Sequence, residues 1–396
     1  MKELSRIASA VQASATLKVD NLYKQMKADG ISVIGFGAGE PDFDTPDNIK
    51  AAGIQAIRDG QTKYTPSNGM VSLRKAVAAR LAADCGVRYE PGEIVVASGA
   101  KHSIFIALMA LTNPGDEVII PAPYWVTYVE AIRMAYGVPV VIDTDEAKGF
   151  KMSPGQLEDA ITPKTKAFIL NNPSNPTGML YNEAELRAIA EVCARHDLYV
   201  ICDEIYYGLV YDGRKFVSFA SLGDDIKERT VLINGVSKSY AMTGWRIGYS
   251  ASNARLAEVM TNYLSHSTSA PSTISQIAAQ EALSGPQEGI RAMRDVFEER
   301  RNYIVDRVNS IEGLSCVRPE GAFYIMLNIS RQIGRTLGGR AIGNSDDFSL
   351  ALLESGRVAV VSCTAFGTKN FCRLTYADSL EDIKEGLDRI EKFVKS

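Results

Sequence analysis

Lys238 lies in Gly235-Val236-Ser237-Lys238-Ser239-Tyr240-Ala241-Met242-Thr243-Gly244-Trp245-Arg246-Ile247-Gly248, which brings an amine, a hydroxyl and a guanidinium into one short stretch. A lysine amine condenses with a carbonyl as a Schiff base. Ser237 can give a phosphate a hydrogen bond and Arg246 a bidentate charged contact. The trio suits a phosphorylated aldehyde.

Three other segments carry polar residues that such a ligand would use. Ser98-Gly99-Ala100-Lys101 follows a predicted strand and opens a predicted helix, so its backbone N–H groups form an anion site or, on the plainer reading, a simple strand-to-helix turn. Asn171-Asn172-Pro173-Ser174-Asn175-Pro176-Thr177-Gly178 is a rigid turn able to aim an asparagine. Asp203-Glu204-Ile205-Tyr206-Tyr207 puts a carboxylate at the end of a buried strand, which demands an interior salt bridge or a cationic ligand. Pyridoxal 5'-phosphate carries an aldehyde, a phosphate and a basic ring nitrogen.

These segments need a frame. Between about residues 90 and 250, short apolar β-rich runs alternate with helical patterns, as in a parallel sheet covered on both faces. The predicted strands are Glu93 to Ala97, Glu117 to Pro121, Val138 to Ile142, Lys166 to Leu170, Leu198 to Cys202, Thr230 to Asn234 and Arg246 to Ala251. Asn182 and Glu185 predict a capping box before the apolar stripe Leu186, Ile189, Ala190 and Val192. Thr45-Pro46 is expected to cap a helix that stops near Gly60, and Leu73, Val77, Ala78 and Leu81 mark another. Beyond the sheet, a long helix is expected from about Pro286 to Ile311, strands at Ala322 to Asn328, Val358 to Val361 and Phe371 to Tyr376, and a last helix from about Ser379 to Val394. The stretch Arg331 to Ser345, rich in glycine and basic residues, reads as a mobile surface loop. Ligands of open α/β sheets bind beyond the carboxyl ends of the strands, so Asn175, read as ending one strand, Asp203, ending the next, and Lys238, following the one after, are expected in one pocket.

Composition excludes several classes. The 396 residues are 46% hydrophobic and 23% charged with net charge −4, an ordinary globular balance without the basic stripe that nucleic acid requires. No apolar run approaches membrane-spanning length and no secretory signal opens the chain, so the cytoplasm is expected. The six cysteines contain no C-x-x-C pair, and only three histidines could join them, which argues against structural zinc or a disulfide framework. No metal is expected.

The Lys238 segment resembles the attachment signature of the class I/II pyridoxal-phosphate-dependent aminotransferases of fold type I. Other stretches agree: Gly39-Glu40-Pro41-Asp42-Phe43-Asp44-Thr45-Pro46, Lys63-Tyr64-Thr65-Pro66, Asn113-Pro114-Gly115-Asp116-Glu117-Val118, Pro123-Tyr124-Trp125 and Arg318-Pro319-Glu320-Gly321-Ala322-Phe323-Tyr324. Among family members it is most similar to prokaryotic aspartate aminotransferases of subgroup I-beta or I-gamma type. The resemblance implies a mostly parallel seven-stranded sheet sandwiched by helices, with a smaller α+β domain. It divides the chain into an N-terminal arm with part of the small domain (1–46), a large cofactor-binding domain (47–288) and a small C-terminal domain (289–396).

The resemblance also implies roles. Asp203 would pair with the pyridine nitrogen, Asn175 and Tyr206 would bond the ring hydroxyl, and Trp125 would stack on the ring. Gly99, Ala100, Lys101, Ser237 and Arg246 would hold the phosphate, joined by Tyr64 from the other subunit of a homodimer. Arg373 would clamp the substrate carboxylate, aided by the Gly39 backbone, Asn175 and Trp125. The implied reaction moves an α-amino group to a 2-oxo acid such as 2-oxoglutarate by a double displacement through Lys238, first anchor and then base.

Aspartate is the first expectation for the donor. Relatives often carry lysines near positions 12 and 109, linked to a distal carboxylate, where Gln12 and Met109 stand; Thr16 is retained, and Ser362-Cys363 replaces a usual Pro-Gly. A neutral or aromatic donor is the alternative reading. A related lyase or decarboxylase and a catalytically silent binding module are the rivals from other classes.

Overall fold

The computed structural model describes residues 2–5, 8–9, 11 and 17–396, so Gln12, Ser14, Ala15 and Thr16 lie outside the described residues. In chain order the strands are β1 (Ile34–Gly35), β2 (Ile94–Ala97), β3 (Glu117–Ala122), β4 (Val138–Asp143), β5 (Thr165–Asn171), β6 (Tyr199–Asp203), β7 (Thr230–Gly235) and β8 (Gly248–Ala251), then β9 (Tyr324–Asn328), β10 (Thr336–Leu337), β11 (Arg340–Ala341), β12 (Val358–Ala359), β13 (Val361–Ser362) and β14 (Phe371–Thr375).

Seven strands form one sheet in the order β2-β8-β7-β6-β5-β3-β4. Strands β3 to β7 are parallel, whereas β8 runs antiparallel to both β7 and β2. The continuous apolar run Phe168-Ile169-Leu170 explains the two-sided burial. Phe168 and Leu170 pack with Leu186 and Ile189 of the helix Glu183–Arg195, while Ile169 packs with Ile104 and Leu108 of the helix Ala100–Leu111 on the other face. Burying each such side chain contributes roughly 2 kcal/mol. The predicted capping box forms: the Asn182 side chain accepts from the Glu185 N–H at 3.0 Å, and Glu185 accepts from the Asn182 N–H at 2.7 Å.

A second, three-stranded antiparallel sheet has β14 between β13 and β9. The helices Glu288–Ser310 and Leu380–Val394 cover it through Phe297, Ile304, Ile383 and Leu387.

The structure corrects five local expectations. Arg246 does not begin β8; it closes the turn Thr243–Trp245 with φ 56°, and the strand starts at Gly248. Asn175 does not end a strand but stands four residues past Asn171, the last residue of β5. Thr45 does not cap the helix Asp47–Arg58, because its hydroxyl donates instead to the Ala241 carbonyl at 2.7 Å. Val358 to Val361 is not one strand: Val358–Ala359 pairs in parallel with β1, and Val361–Ser362 pairs with β14. Arg331 to Ser345 is not a structureless loop either. It holds the β10–β11 hairpin, anchored by the fully buried Leu337 and by Ile342.

Candidate active site

Register aligns the carboxyl ends of the central strands. Asn171 sits opposite Asp203, and Asp203 opposite Ile233, so the three following loops leave the sheet side by side. The Asn171 side chain ties two of them: its amide donates to the Asp203 carbonyl at 2.9 Å, and its oxygen accepts from the Asn175 N–H at 2.7 Å. The lysine loop returns to the sheet at Gly248, where a Cβ would come within 2.2 Å of the Ala100 nitrogen; only glycine allows this approach to the Gly99 turn. Gly99 itself has φ 91°, and a Cβ there would meet the Arg246 guanidinium at 2.4 Å.

These loops enclose a cavity of about 1300 Å³. Gly39, Ala100, Lys101, Trp125, Asn175, Asp203, Tyr206, Ser237, Lys238, Arg246 and Arg373 all line it. Tyr64 does not: it is 99% exposed on this chain. Met109 does not line it either: it lies in the last turn of the helix Ala100–Leu111, half-buried against the core. The Gly99 N–H is bonded to the Ala97 carbonyl at 2.7 Å, so the free donors of this turn are the N–H groups of Ala100 and Lys101.

Asp203 is buried, with 4% of its surface exposed. One carboxylate oxygen accepts from the Tyr128 hydroxyl at 2.7 Å and the other from the Ile205 N–H at 3.2 Å. Burial pushes its carboxyl up to about 6, against the pull of those two bonds and of Lys238. The Lys238 amine donates to the Gly39 carbonyl at 2.5 Å. Burial lowers it to about 8, with Arg373 and Arg246 adding to the fall while Glu40 and Asp203 oppose it.

Arg373 is 7% exposed and donates to Asn175 Oδ1 at 3.3 Å and to the Gly37 carbonyl at 2.9 Å. Its buried Nε has no protein acceptor. Arg246 reaches only carbonyls, of Thr243 at 2.9 Å and Ser98 at 3.4 Å. Trp125 meets the Tyr128 ring edge-on at 5.5 Å, and Lys101 Nζ lies 5.0 Å from its ring. Among the described residues none of Lys101, Lys238, Arg246 and Arg373 forms an ion pair. A cavity lined by cations without carboxylate partners is built for anionic ligands.

The residue chemistry therefore fits pyridoxal 5'-phosphate: an attachable amine, a buried carboxylate in need of a cation, and free N–H and guanidinium donors. Sequence reasoning missed Tyr128, Asn171 and Tyr324, which also line the cavity or hold its members. Tyr324 stood within a motif quoted for family likeness but was assigned no role. Tyr128 could have been suspected from its place three residues after Trp125. The six cysteines are buried and unpaired, and the described residues contain no cluster able to hold a metal ion. No helix among them is long and apolar enough to cross a membrane.

The family model for aminotransferase class I and II matches residues 31–390. The aspartate aminotransferase of Geobacillus stearothermophilus is 48% identical over 396 residues, covering 100% of each chain. The solved aspartate aminotransferase of Rhizobium meliloti superposes with a TM-score of 0.96 at 43% identity, covering 100% of this chain and 99% of that one. That of Thermus thermophilus, solved with maleate, gives 0.93 at 38% identity, covering 99% and 100%. A full-length match in both sequence and backbone to aspartate aminotransferases, on the fold whose strand ends gather these residues, favours amino-group transfer over the lyase and silent-module readings. The chain belongs to the class I and II aminotransferases, and its activity is amino-group transfer.

Proposed function

We propose that the cavity binds pyridoxal 5'-phosphate and that the chain moves the α-amino group of L-aspartate to a 2-oxo acid such as 2-oxoglutarate, in the cytoplasm. The observation that carries this reading is that Asp203 and Lys238 line one cavity with two guanidinium groups, those of Arg246 and Arg373, that have no carboxylate partner. When bound, the cofactor supplies an aldehyde for amine exchange and a protonated ring that withdraws electrons from the substrate α-carbon.

The chain's own residues do the rest. Asp203, steadied by Tyr128, keeps the ring nitrogen protonated. Asn175 and Tyr206 bond the ring hydroxyl, and Trp125 covers a face. Arg246, Ser237 and the N–H groups of Ala100 and Lys101 take the phosphate. Arg373 turns from the Gly37 carbonyl to the substrate α-carboxylate, next to Gly39 and Asn175. Lys238 Nζ would anchor the cofactor and, once freed, would take the substrate α-proton and return it.

A distal carboxylate needs another cation. Among the described residues that line the cavity, Arg133 is held by Glu130 at 2.8 Å, which leaves the Lys101 side chain. Support for a dicarboxylate comes from the Thermus relative, solved with maleate. Tyr64 reaches the partner's phosphate site in a homodimer, a reading supported by the exposure of Ile54, Ile57 and Val71, which lie within ten positions of it in the sequence. Light scattering should then give twice the mass of one chain, and a monomer would remove Tyr64 from the site.

The test is reconstitution with pyridoxal 5'-phosphate and assay of amino donors against 2-oxoglutarate. Aspartate should yield glutamate with parallel double-reciprocal plots. A stronger response to phenylalanine or alanine would overturn the donor assignment, and no glutamate from any donor would overturn the whole reading.

A further inference from the structure

Tyr324 is 1% exposed, yet it lines the cavity. Its position follows from strand register. In the β9–β14 ladder Thr375 faces Tyr324 and Arg373 faces Met326, so Tyr324 and Arg373 are diagonal neighbours on one face, within reach for an aromatic and a long side chain. The Arg373 guanidinium carbon lies 4.5 Å from the Tyr324 ring centroid. The Tyr324 hydroxyl lies 3.1 Å from that of Tyr206, whose ring it meets edge-on at 5.9 Å. Two more contacts close a circuit: Asn175 Nδ2 donates to the Tyr206 hydroxyl at 3.4 Å, and Arg373 donates to Asn175 Oδ1 at 3.3 Å. Tyr324 is the only member of this circuit that touches both the guanidinium and Tyr206 without having been assigned a task.

We infer that Tyr324 is a positioning residue, whose ring holds the Arg373 guanidinium at the angle a carboxylate must meet and whose hydroxyl fixes the direction of the Tyr206 hydrogen bond. The inference rests on the proposed roles of Arg373 and Tyr206. The ring acts through the attraction of a cation to an aromatic face, strengthened by burial. The hydroxyl acts because a buried hydroxyl seeks a partner: the Tyr206 oxygen already accepts from Asn175 Nδ2, so its proton is directed to Tyr324 or to a ligand. Capture of an amino acid at Arg373 and the bond offered by Tyr206 are thereby set by one side chain.

Two substitutions separate the two halves. Tyr324→Phe keeps the ring and loses the hydroxyl. In the holoenzyme it should leave the Kd for maleate within about twofold of the parent, lower kcat several-fold, and move the pH midpoint of the bound cofactor's visible absorbance by about half a unit. The groups facing the Tyr206 hydroxyl are Tyr324, Asn175, Asp203 and Arg373, and only the first changes. Tyr324→Leu loses the ring as well, and should raise the maleate Kd and the KM for aspartate about tenfold. An unmoved absorbance midpoint in Tyr324→Phe, or an unchanged maleate Kd in Tyr324→Leu, would overturn the inference. If Tyr324→Leu does not fold, by thermal melting, the absorbance midpoint of Tyr324→Phe decides alone. Arg373→Ala distinguishes the two levels. Retained maleate affinity in that variant means the clamp itself lies elsewhere, whereas affinity lost there but kept in Tyr324→Leu sinks only the role of Tyr324.

Discussion

Lys238→Ala is expected to lose turnover by on the order of 10⁴-fold or more, with no cofactor trapped on the chain by borohydride. The two roles proposed for Lys238, covalent anchorage and proton transfer at the substrate α-carbon, would disappear together. The effect should exceed that of any neighbour because no second amine is placed to substitute. The other lysine lining the cavity, Lys101, has its ammonium 5.0 Å from the Trp125 ring, whereas Lys238 Nζ reaches the Gly39 carbonyl. Lys238→Arg is the control for charge, since a guanidinium keeps the cation but neither condenses with an aldehyde nor gives up its proton. It should be as inactive as the alanine variant. Peptide mapping after borohydride treatment of the parent protein should put the label on Lys238 alone; a label on Lys101, or parental turnover in either variant, would remove Lys238 from both roles.

Asp203→Asn should separate function from stability in opposite directions. Turnover is expected to fall on the order of 10³-fold, because a neutral amide cannot keep the ring nitrogen protonated. The rate at which the substrate α-proton exchanges with solvent should fall by the same factor, and unchanged exchange would end the argument. Stability of the cofactor-free protein should move the other way. The unfolded carboxyl releases its proton near 3.8 and the folded one near 6, so the folded chain holds the proton more tightly. The stability associated with that proton is present below about 4 and is lost as pH rises through about 6, a change of about 3 kcal/mol. An asparagine has no such titration. Without cofactor, the variant should therefore melt above the parent at pH 7.5 and lose that advantage at pH 4. Equal melting curves at both values would mean that water or local relaxation solvates Asp203.

The same carboxylate explains why this cavity is not a neutral binding groove. Asp203 ends β6 in the sheet interior, and its protein partners are a hydroxyl and an amide rather than a cation. Such an arrangement is tolerated when a positively charged ligand completes it. Arg373 presents the complementary case, a buried guanidinium with Nε lacking an acceptor. One orphan asks for a cation and the other for an anion, and an amino acid held against a protonated ring offers both.

Much of this was legible in the chain itself. Alternation of short β-rich runs with helical stripes located all seven strands of the large sheet, six of them to within one residue at each end, because burial on both faces requires continuous apolar runs bounded by polar turns. Asn182 and Glu185 announced a helix start because the capping box is a purely local bond pattern. Lys238, Asp203 and Asn175 were recognisable by chemical type in or beside the loops that follow strands. The misreadings share a cause. Thr45 looked like a cap, but the lysine loop, nearly two hundred positions away, offered its hydroxyl the Ala241 carbonyl. Arg246 looked like a strand residue, yet its left-handed backbone turns the guanidinium toward Gly99. Composition marked Arg331 to Ser345 as loose, but Leu337 and Ile342 find buried sites supplied by distant elements.

What the sequence determined alone, then, is the identity of the reactive groups and the local elements that carry them, because propensity, capping and hydrophobic period act over a few residues. Which groups face one another was decided only in three dimensions. Tyr128 reaches Asp203 across 75 positions and Tyr206 meets Tyr324 across 118. Met109 packs half-buried against the core, while Lys101 of the same helix lines the cavity. Contacts of that span depend on strand order and register, which are set by the burial of the whole sheet and not by the spacing of any motif.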